Sequence, residues 1–109
     1  MAGTFTTAVL ADGQLPSTQG TLFTGPAVTV TYVKRISLFN TNAASQTIDL
    51  YLNVSGSARR WRRYVLAQYE SVEVLEAGDA IVIEASDTIE AVTTTASAVD
   101  YYICGVKET

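Results

Sequence analysis

Apolar and polar residues alternate along most of the chain, which is the pattern of β-strands with one buried face. The clearest case is QTIDLYLNV, residues 46–54, in which every second residue from Ile48 to Val54 is apolar. A period of two places these apolar side chains on one face of a strand. No comparable stretch holds the 3.6-residue period of an amphipathic helix. The pattern therefore predicts an all-β protein.

Further strand-like segments are separated by turn residues. Residues 27–40 are rich in β-branched and aromatic residues and are long for one strand, so they predict a bend or a β-bulge near Lys34 and Arg35. Residues 71–83 alternate on both sides of a glycine turn at residues 77–79. Turns recur at intervals of roughly 8–12 residues, which predicts about eight strands in a single antiparallel β-sandwich or jelly roll.

The length fits one domain. A chain of 109 residues can bury one modest hydrophobic core, and no linker-like segment divides it. We therefore expect residues 1–109 to form a single domain, with residues 1–20 as an extended N-terminal arm or as a first strand plus loop. The 48% hydrophobic content is high for so small a domain and favours a homo-oligomer, a dimer or trimer. No apolar run reaches the ~20 residues that span a bilayer, so no membrane association is expected.

The residues that the commonest enzyme mechanisms require are missing from the sequence. There is no histidine and only one cysteine, Cys104. Without histidine, Ser–His and Cys–His catalysis are excluded, as is the commonest transition-metal ligand. No phosphate-binding loop, dinucleotide fingerprint or EF-hand pattern occurs. We therefore expect no enzyme activity, no cofactor and no metal, and we expect Cys104 to be a small buried residue of the last strand, residues 98–106.

A basic and aromatic cluster interrupts the alternation within ARRWRRYV. Its members are Arg59, Arg60, Trp61, Arg62, Arg63 and Tyr64, in a chain of net charge −4. Strict alternation places Arg59, Trp61 and Arg63 on one face of a strand and the other three residues on the opposite face. Neither face can then be a dry core face, because a buried unpaired arginine is very costly. The cluster therefore predicts an exposed edge strand or a projecting ribbon.

Three interpretations of this cluster compete. Arginine and tryptophan are enriched at interface hot spots, which favours residues 59–64 as a contact with another subunit or a protein partner. A solvated edge strand with ion pairs to the acidic hairpins that follow it is the second interpretation. Nucleic-acid binding is the third, and it fits least well because an acidic chain lacks the broad basic surface that coats phosphates.

The order of several segments is distinctive. TLFTGP leads into VTYVKRISLFNTNAASQTIDLYL, LAQYESVEV and IEASDTIEAV follow, and AVDYYICGVKE closes the chain. From about Thr21 to Glu108, this order resembles that of small β-sandwich structural proteins of tailed-bacteriophage virions. Tyr69 and Ser86 stand where the pattern of that group has glycine, and the arginine cluster is not part of the pattern.

The resemblance implies a non-enzymatic virion structural protein, assembled in the host cytoplasm. The form expected first is a capsid decoration or cement protein, which stabilises the phage head by binding across subunits of the major capsid protein. Another virion protein could take the place of that partner. The alternative is a neck, tail or fibre component, including a module that binds carbohydrate or a host surface. No catalytic residue is carried over, because the pattern holds none.

Overall fold

The computed structural model describes residues 5–27, 29–75 and 80–108, which form nine β-strands and no helix. The strands are β1 (Phe5–Gln14), β2 (Gly20–Thr24), β3 (Val30–Asn40), β4 (Gln46–Val54), β5 (Ser57–Leu66), β6 (Ser71–Glu73), β7 (Ile81–Ile83), β8 (Thr88–Thr93) and β9 (Val99–Glu108). The all-β class predicted from the alternation is confirmed. No helix in these ranges has the length and apolarity needed to cross a membrane.

The strands form two antiparallel sheets. Sheet A has the order β1-β9-β3, with β6 and β7 both paired to the other edge of β3, and sheet B has the order β2-β8-β4-β5. Successive strands therefore cross repeatedly between the sheets, which is the double Greek-key arrangement of a jelly roll. The predicted antiparallel sandwich is confirmed.

The strand count is nine, and two of these strands share one position in sheet A. β6 pairs with Ser37–Phe39, and β7 pairs with Thr31–Val33 of the same strand. Both run antiparallel to β3 along one edge, so they are two parts of a single strand position. The glycine turn predicted at residues 77–79 lies outside the described residues.

A β-bulge in β3 sits where the sequence predicts one. Val33 lies opposite Gly105 of β9. The next residue of β9 towards the N-terminus, Cys104, lies opposite Arg35, so Lys34 is the extra residue. The prediction of a bend or bulge near Lys34 and Arg35 is confirmed.

A second bulge bends β1 at the same level of β9. Val9 lies opposite Cys104. The adjacent residue of β9, Ile103, lies opposite Ala11, so Leu10 is the extra residue here. Cys104 is therefore flanked by bulges on both sides. It lies in the last strand as predicted, but it is half-buried rather than buried, because it points to the side of sheet A away from the core.

The core lies between the central strands of the two sheets. Its fully buried members include Val33, Ile36, Leu38, Ile48, Leu50, Ile89, Val99 and Ile103. Along β4 the predicted alternation holds for Ile48 and Leu50, whereas Leu52 is half-buried and Val54 is exposed. The apolar side chains of β4 are therefore less buried towards the end of the strand that leads into its hairpin.

One buried amide ties three segments together at the other end of the sandwich. Asn40 is fully buried at the end of β3. Its Nδ2 lies 3.0, 3.1 and 3.0 Å from the carbonyl oxygens of Ala44, Leu66 and Ala67, which share its two hydrogens. Its Oδ1 accepts the N–H of Asn42 at 2.9 Å. This side chain therefore links β3, the β3–β4 turn and the end of β5.

We expect Asn40→Ala to lower the free energy of unfolding by about 2–4 kcal/mol, because buried backbone groups lose their partners. Chemical denaturation measures the loss. Asn53→Ala is the control, since Asn53 donates one bond, of 3.2 Å, to Glu90; it should cost less than about 1 kcal/mol. Equal losses in the two variants would contradict the linking role of Asn40.

Four non-glycine residues of the described ranges lie in the left-handed region of backbone conformation, and Tyr69 and Ser86 are two of them. The φ angle is 56° at Tyr69 and 70° at Ser86. These are the two positions at which the phage-protein pattern has glycine, the residue that adopts this conformation without steric cost. The backbone of both turns therefore has the shape that the pattern implies, although the residue types differ.

Tyr69→Gly and Ser86→Gly should each raise the free energy of unfolding by about 0.5–1 kcal/mol. Relief of left-handed strain outweighs the added entropy of glycine in the unfolded chain. Urea titration measures both values. Tyr69→Ala removes the same ring and keeps the strain, so it should give no gain; a gain equal to that of glycine would show that strain is not the cause.

Candidate protein-binding site

The arginine cluster lies on β5, at one edge of sheet B. A two-residue turn at Ser55 and Gly56, with φ of 56° and 87°, joins β5 to β4. Two successive positive φ angles are characteristic of a type I′ hairpin, whose twist matches that of the flanking strands. The hairpin holds residues 59–64 along the side of the sandwich, so the predicted edge-strand position is confirmed.

A β-bulge at Trp61 changes which side chains of the cluster share a face. In the pairing of β5 with β4, Trp61 is the extra residue between Arg60 and Arg62. The extra residue shifts the period of two by one position. The prediction that Arg59, Trp61 and Arg63 share a face is therefore wrong, because the bulge places Arg60 beside Arg63.

Arg60 and Arg63 converge on one carboxylate of β4. The Nε and Nη2 atoms of Arg63 donate to Oδ1 and Oδ2 of Asp49 at 2.6 and 3.1 Å. The Nε of Arg60 lies 3.6 Å from the same Oδ1, and its guanidinium carbon lies 5.9 Å from the centre of the Tyr51 ring. Two of the four arginines of the cluster therefore share one negative charge within sheet B.

The ion pair between Arg63 and Asp49 determines the direction in which the pKa of Asp49 is shifted. The Asp49 side chain is only 12% exposed. The hydrogen bond from Arg63 holds the pKa of Asp49 below its ordinary value of 3.8, against the opposing effect of burial, and the charge of Arg60 adds to the lowering. Ion pairs to the acidic hairpins after the cluster were one interpretation of the sequence; in the described ranges the partner is Asp49, which precedes it.

The two aromatic residues of the cluster are half-buried and pack against the core. The guanidinium carbon of Arg62 lies 4.7 Å from the centre of the Trp61 ring, within the range of a cation–π contact. The ring of Trp61 is thus held between the core and a guanidinium group. It does not form the open shelf on which a sugar ring or a nucleic-acid base would stack.

Arg59 and Arg62 differ from the other two arginines. Both are exposed, and neither has a carboxylate partner among the residues that the structure describes. A groove of about 340 Å³ adjoins Arg59, and its lining residues are Leu52, Val54, Ser57, Arg59, Arg60 and Trp61. It combines an apolar floor with guanidinium groups.

The described ranges contain no group of three or more His, Cys, Asp or Glu side chains placed to hold a metal ion.

Sequence reasoning missed Asp49 as part of the site. The signal for it was the hairpin turn, because a turn at Ser55 and Gly56 folds Asp49 back beside the arginines.

Comparison with known proteins supports the fold. No family model matches the sequence, and no curated protein matches it. The structure is similar to a chain from Bacillus endospore appendages, described as disulfide-linked pili, with a TM-score of 0.51 and 18% identity over 98% of this chain and 89% of that one. This likeness shows a shared fold.

Two structures of infectious bursal disease virus overlap more loosely. The Gx strain gives a TM-score of 0.37 at 15% identity over 96% of this chain, and the Gt strain gives 0.31 at 12% identity over 97%. This chain covers 32% of each viral chain. Overlap at these TM-scores does not establish a common fold.

The lowered pKa of Asp49 predicts acid sensitivity. A carboxylate whose pKa is lowered by folding stabilises the protein above its unfolded-state pKa, and the contribution is lost as the pH falls through the folded-state pKa. The pKa values of Glu73 and Glu90 are also lowered, by hydrogen bonds from Arg35 and Thr88 respectively. The melting temperature should therefore be steady from about pH 7 to pH 5 and fall below about pH 4.5.

Circular dichroism melts across this pH range measure the effect. Asp49→Asn should melt at a lower temperature than the wild type at neutral pH, and the difference should shrink as the pH falls. A difference that stays constant down to about pH 2 would show that the charge of Asp49 does not stabilise the fold.

Proposed function

We propose that the protein is a non-enzymatic structural protein of a bacteriophage virion, and that it acts as a capsid decoration protein bound across neighbouring subunits of the major capsid protein. The observation that carries this proposal is the pair of exposed arginines, Arg59 and Arg62, at the free edge of a jelly roll. The proposed location, a virion assembled in the host cytoplasm, rests on the resemblance of the segment order to phage virion proteins.

The arrangement of the edge favours contact through side chains. Charged residues on an edge strand oppose the direct addition of another strand. Arginine binds carboxylates through two parallel hydrogen bonds, which gives direction as well as attraction. Trp61 stiffens the centre of this edge because it packs on the core. An acidic patch on a capsid subunit would therefore meet a preformed, positively charged strand.

Stabilisation of a shell requires only that the protein bind the assembled state. A ligand that binds the assembled state and not the separate subunits shifts the equilibrium towards assembly. A rigid sandwich that contacts two neighbouring subunits adds interface area between them without any chemical step. The appendage chain that shares this fold comes from pili, which supports a role in assembly.

The alternative, a neck, tail or fibre component that binds carbohydrate, has less support at this site. Such binding usually needs an exposed aromatic face, and the guanidinium group of Arg62 occupies the face of Trp61. The same contact opposes stacking of a nucleic-acid base on this ring.

Cosedimentation of the purified protein with empty capsids tests the proposal. Binding at low salt is expected, with weakening as salt rises. Arg59→Glu should reduce the affinity by about tenfold or more, because it places a carboxylate against an acidic partner. Lys107→Glu makes the same charge change on β9 and is the control, with a small effect expected.

Absence of binding to capsids at low salt would refute the decoration role. Equal weakening by Arg59→Glu and Lys107→Glu would show that net charge, and not the edge of β5, determines binding. Glycan binding that is lost in Trp61→Ala would support the alternative instead.

A further inference from the structure

The side of sheet A that faces away from the core is unusually apolar. Of the eight large apolar residues exposed among the described residues, five lie on this side: Phe5, Val9, Phe39, Val82 and Tyr102. Phe5 and Val9 are 60% and 55% exposed. We call this surface, formed by the outward side chains of β1, β9, β3 and β7, the apolar face.

The apolar face is continuous. Phe5 stacks at an angle on Tyr32, with ring centres 6.4 Å apart. Two shallow grooves of about 360 and 350 Å³ run along it. Their lining residues include Phe5, Thr7, Val9, Tyr32, Cys104 and Val106. Single exposed apolar residues are ordinary, but a contiguous patch marks an interaction surface.

The apolar face also carries charged side chains, among them Asp12 opposite Tyr102 and Glu108 opposite Phe5. Lys34, the bulged residue of β3, lines both grooves and has no carboxylate partner within the described ranges. The other cation, Arg35, is already bound to Glu73 at 2.8 Å. Asp100 is exposed at one end of the face, and it accepts a hydrogen bond from the uncharged amide of Gln14 at 3.2 Å. Lys34 and Asp100 lie about five residues of β9 apart, or ~16 Å.

Two of these charges, Lys34 and Asp100, can pair reciprocally between two copies of the chain. A two-fold axis that lies in the plane of the interface and crosses β9 near Tyr102 would bring Lys34 of one copy to Asp100 of the other, and would form the same pair a second time. The apolar side chains between these charges would then cover their counterparts. Such reciprocal contacts are the defining property of a two-fold interface. We propose that the apolar face is a homodimer interface, occupied by the apolar face of a second copy of this chain.

The area of the apolar face indicates how tightly two copies of the chain are expected to bind each other. Four strand positions spaced ~4.8 Å apart and ~3.3 Å per residue along the 10 residues of β9 give a plan area of about 600 Å² per copy. The two copies together would bury about 1,200 Å², which is the lower end for specific interfaces. A reversible dimer with a dissociation constant in the micromolar range is therefore expected.

A charge exchange tests the pairing. Sedimentation equilibrium from about 1 to 200 µM should show a dimer for the wild type, and Lys34→Asp and Asp100→Lys should each raise the dissociation constant by about tenfold or more. The double variant restores both pairs and should return to within about threefold of the wild type. Loss of folding in a single variant would not be repaired by a second charge change, so restoration identifies the contact.

The cysteine gives a second measurement that needs no variant. Cys104 lies on the apolar face, and it is the one cysteine of the chain. Its rate of reaction with a maleimide should fall as the protein concentration rises through the dissociation constant. In Lys34→Asp the rate should stay constant over the same range.

The dimer and the proposed decoration role can fail separately. Arg59→Glu should weaken capsid binding and leave dimerisation unchanged, because β5 lies in the other sheet. A wild-type protein that is monomeric up to about 200 µM would overturn the dimer interface. A labelling rate independent of concentration, or a dimer unaffected by both single reversals, would overturn it as well.

Discussion

Strand β9 organises sheet A, because it is paired along its length with β1 on one side and with β3 on the other. It approaches β3 so closely that a Cβ at Gly105 would collide with the carbonyl oxygen of Tyr32. Beside this contact, both neighbouring strands carry a bulge. The alternation of β9 then determines two surfaces at once, with Ile103 in the core and Cys104 on the outside. The core and the apolar face therefore depend on the same strand register.

The fold could be predicted from the sequence where one face of a strand is buried and the other is not. Residues 46–54 show this alternation without interruption, and they correspond to β4 as the structure has it. The bulge at Lys34 was also predictable, because the segment around it is too long for a regular strand. The pairing of both β6 and β7 with one edge of β3 was not, since local alternation on either side of a turn does not reveal which strand the two segments pair with.

The candidate site was also only partly predictable from the sequence. Its edge position was predictable because the residue types alone show that the arginines between Arg59 and Arg63 cannot all be buried. The bulge at Trp61 could not be foreseen, because no residue type marks it and the extra residue is defined only by pairing with β4. The apolar face was missed for a related reason. Tyr102 and Cys104 lie in an apolar run, and the sequence does not say which side of that run faces the second sheet.

The divided edge strand has a consequence for the size of any assembly. β6 and β7 contain three residues each, so this edge of sheet A offers only short stretches to an incoming strand, and the arginines of β5 protect an edge of sheet B. An assembly that grows by strand addition can grow without limit, whereas a face that has bound a partner cannot bind another. Strand addition is therefore disfavoured at these two edges, which leaves contacts between faces, each limited to one partner.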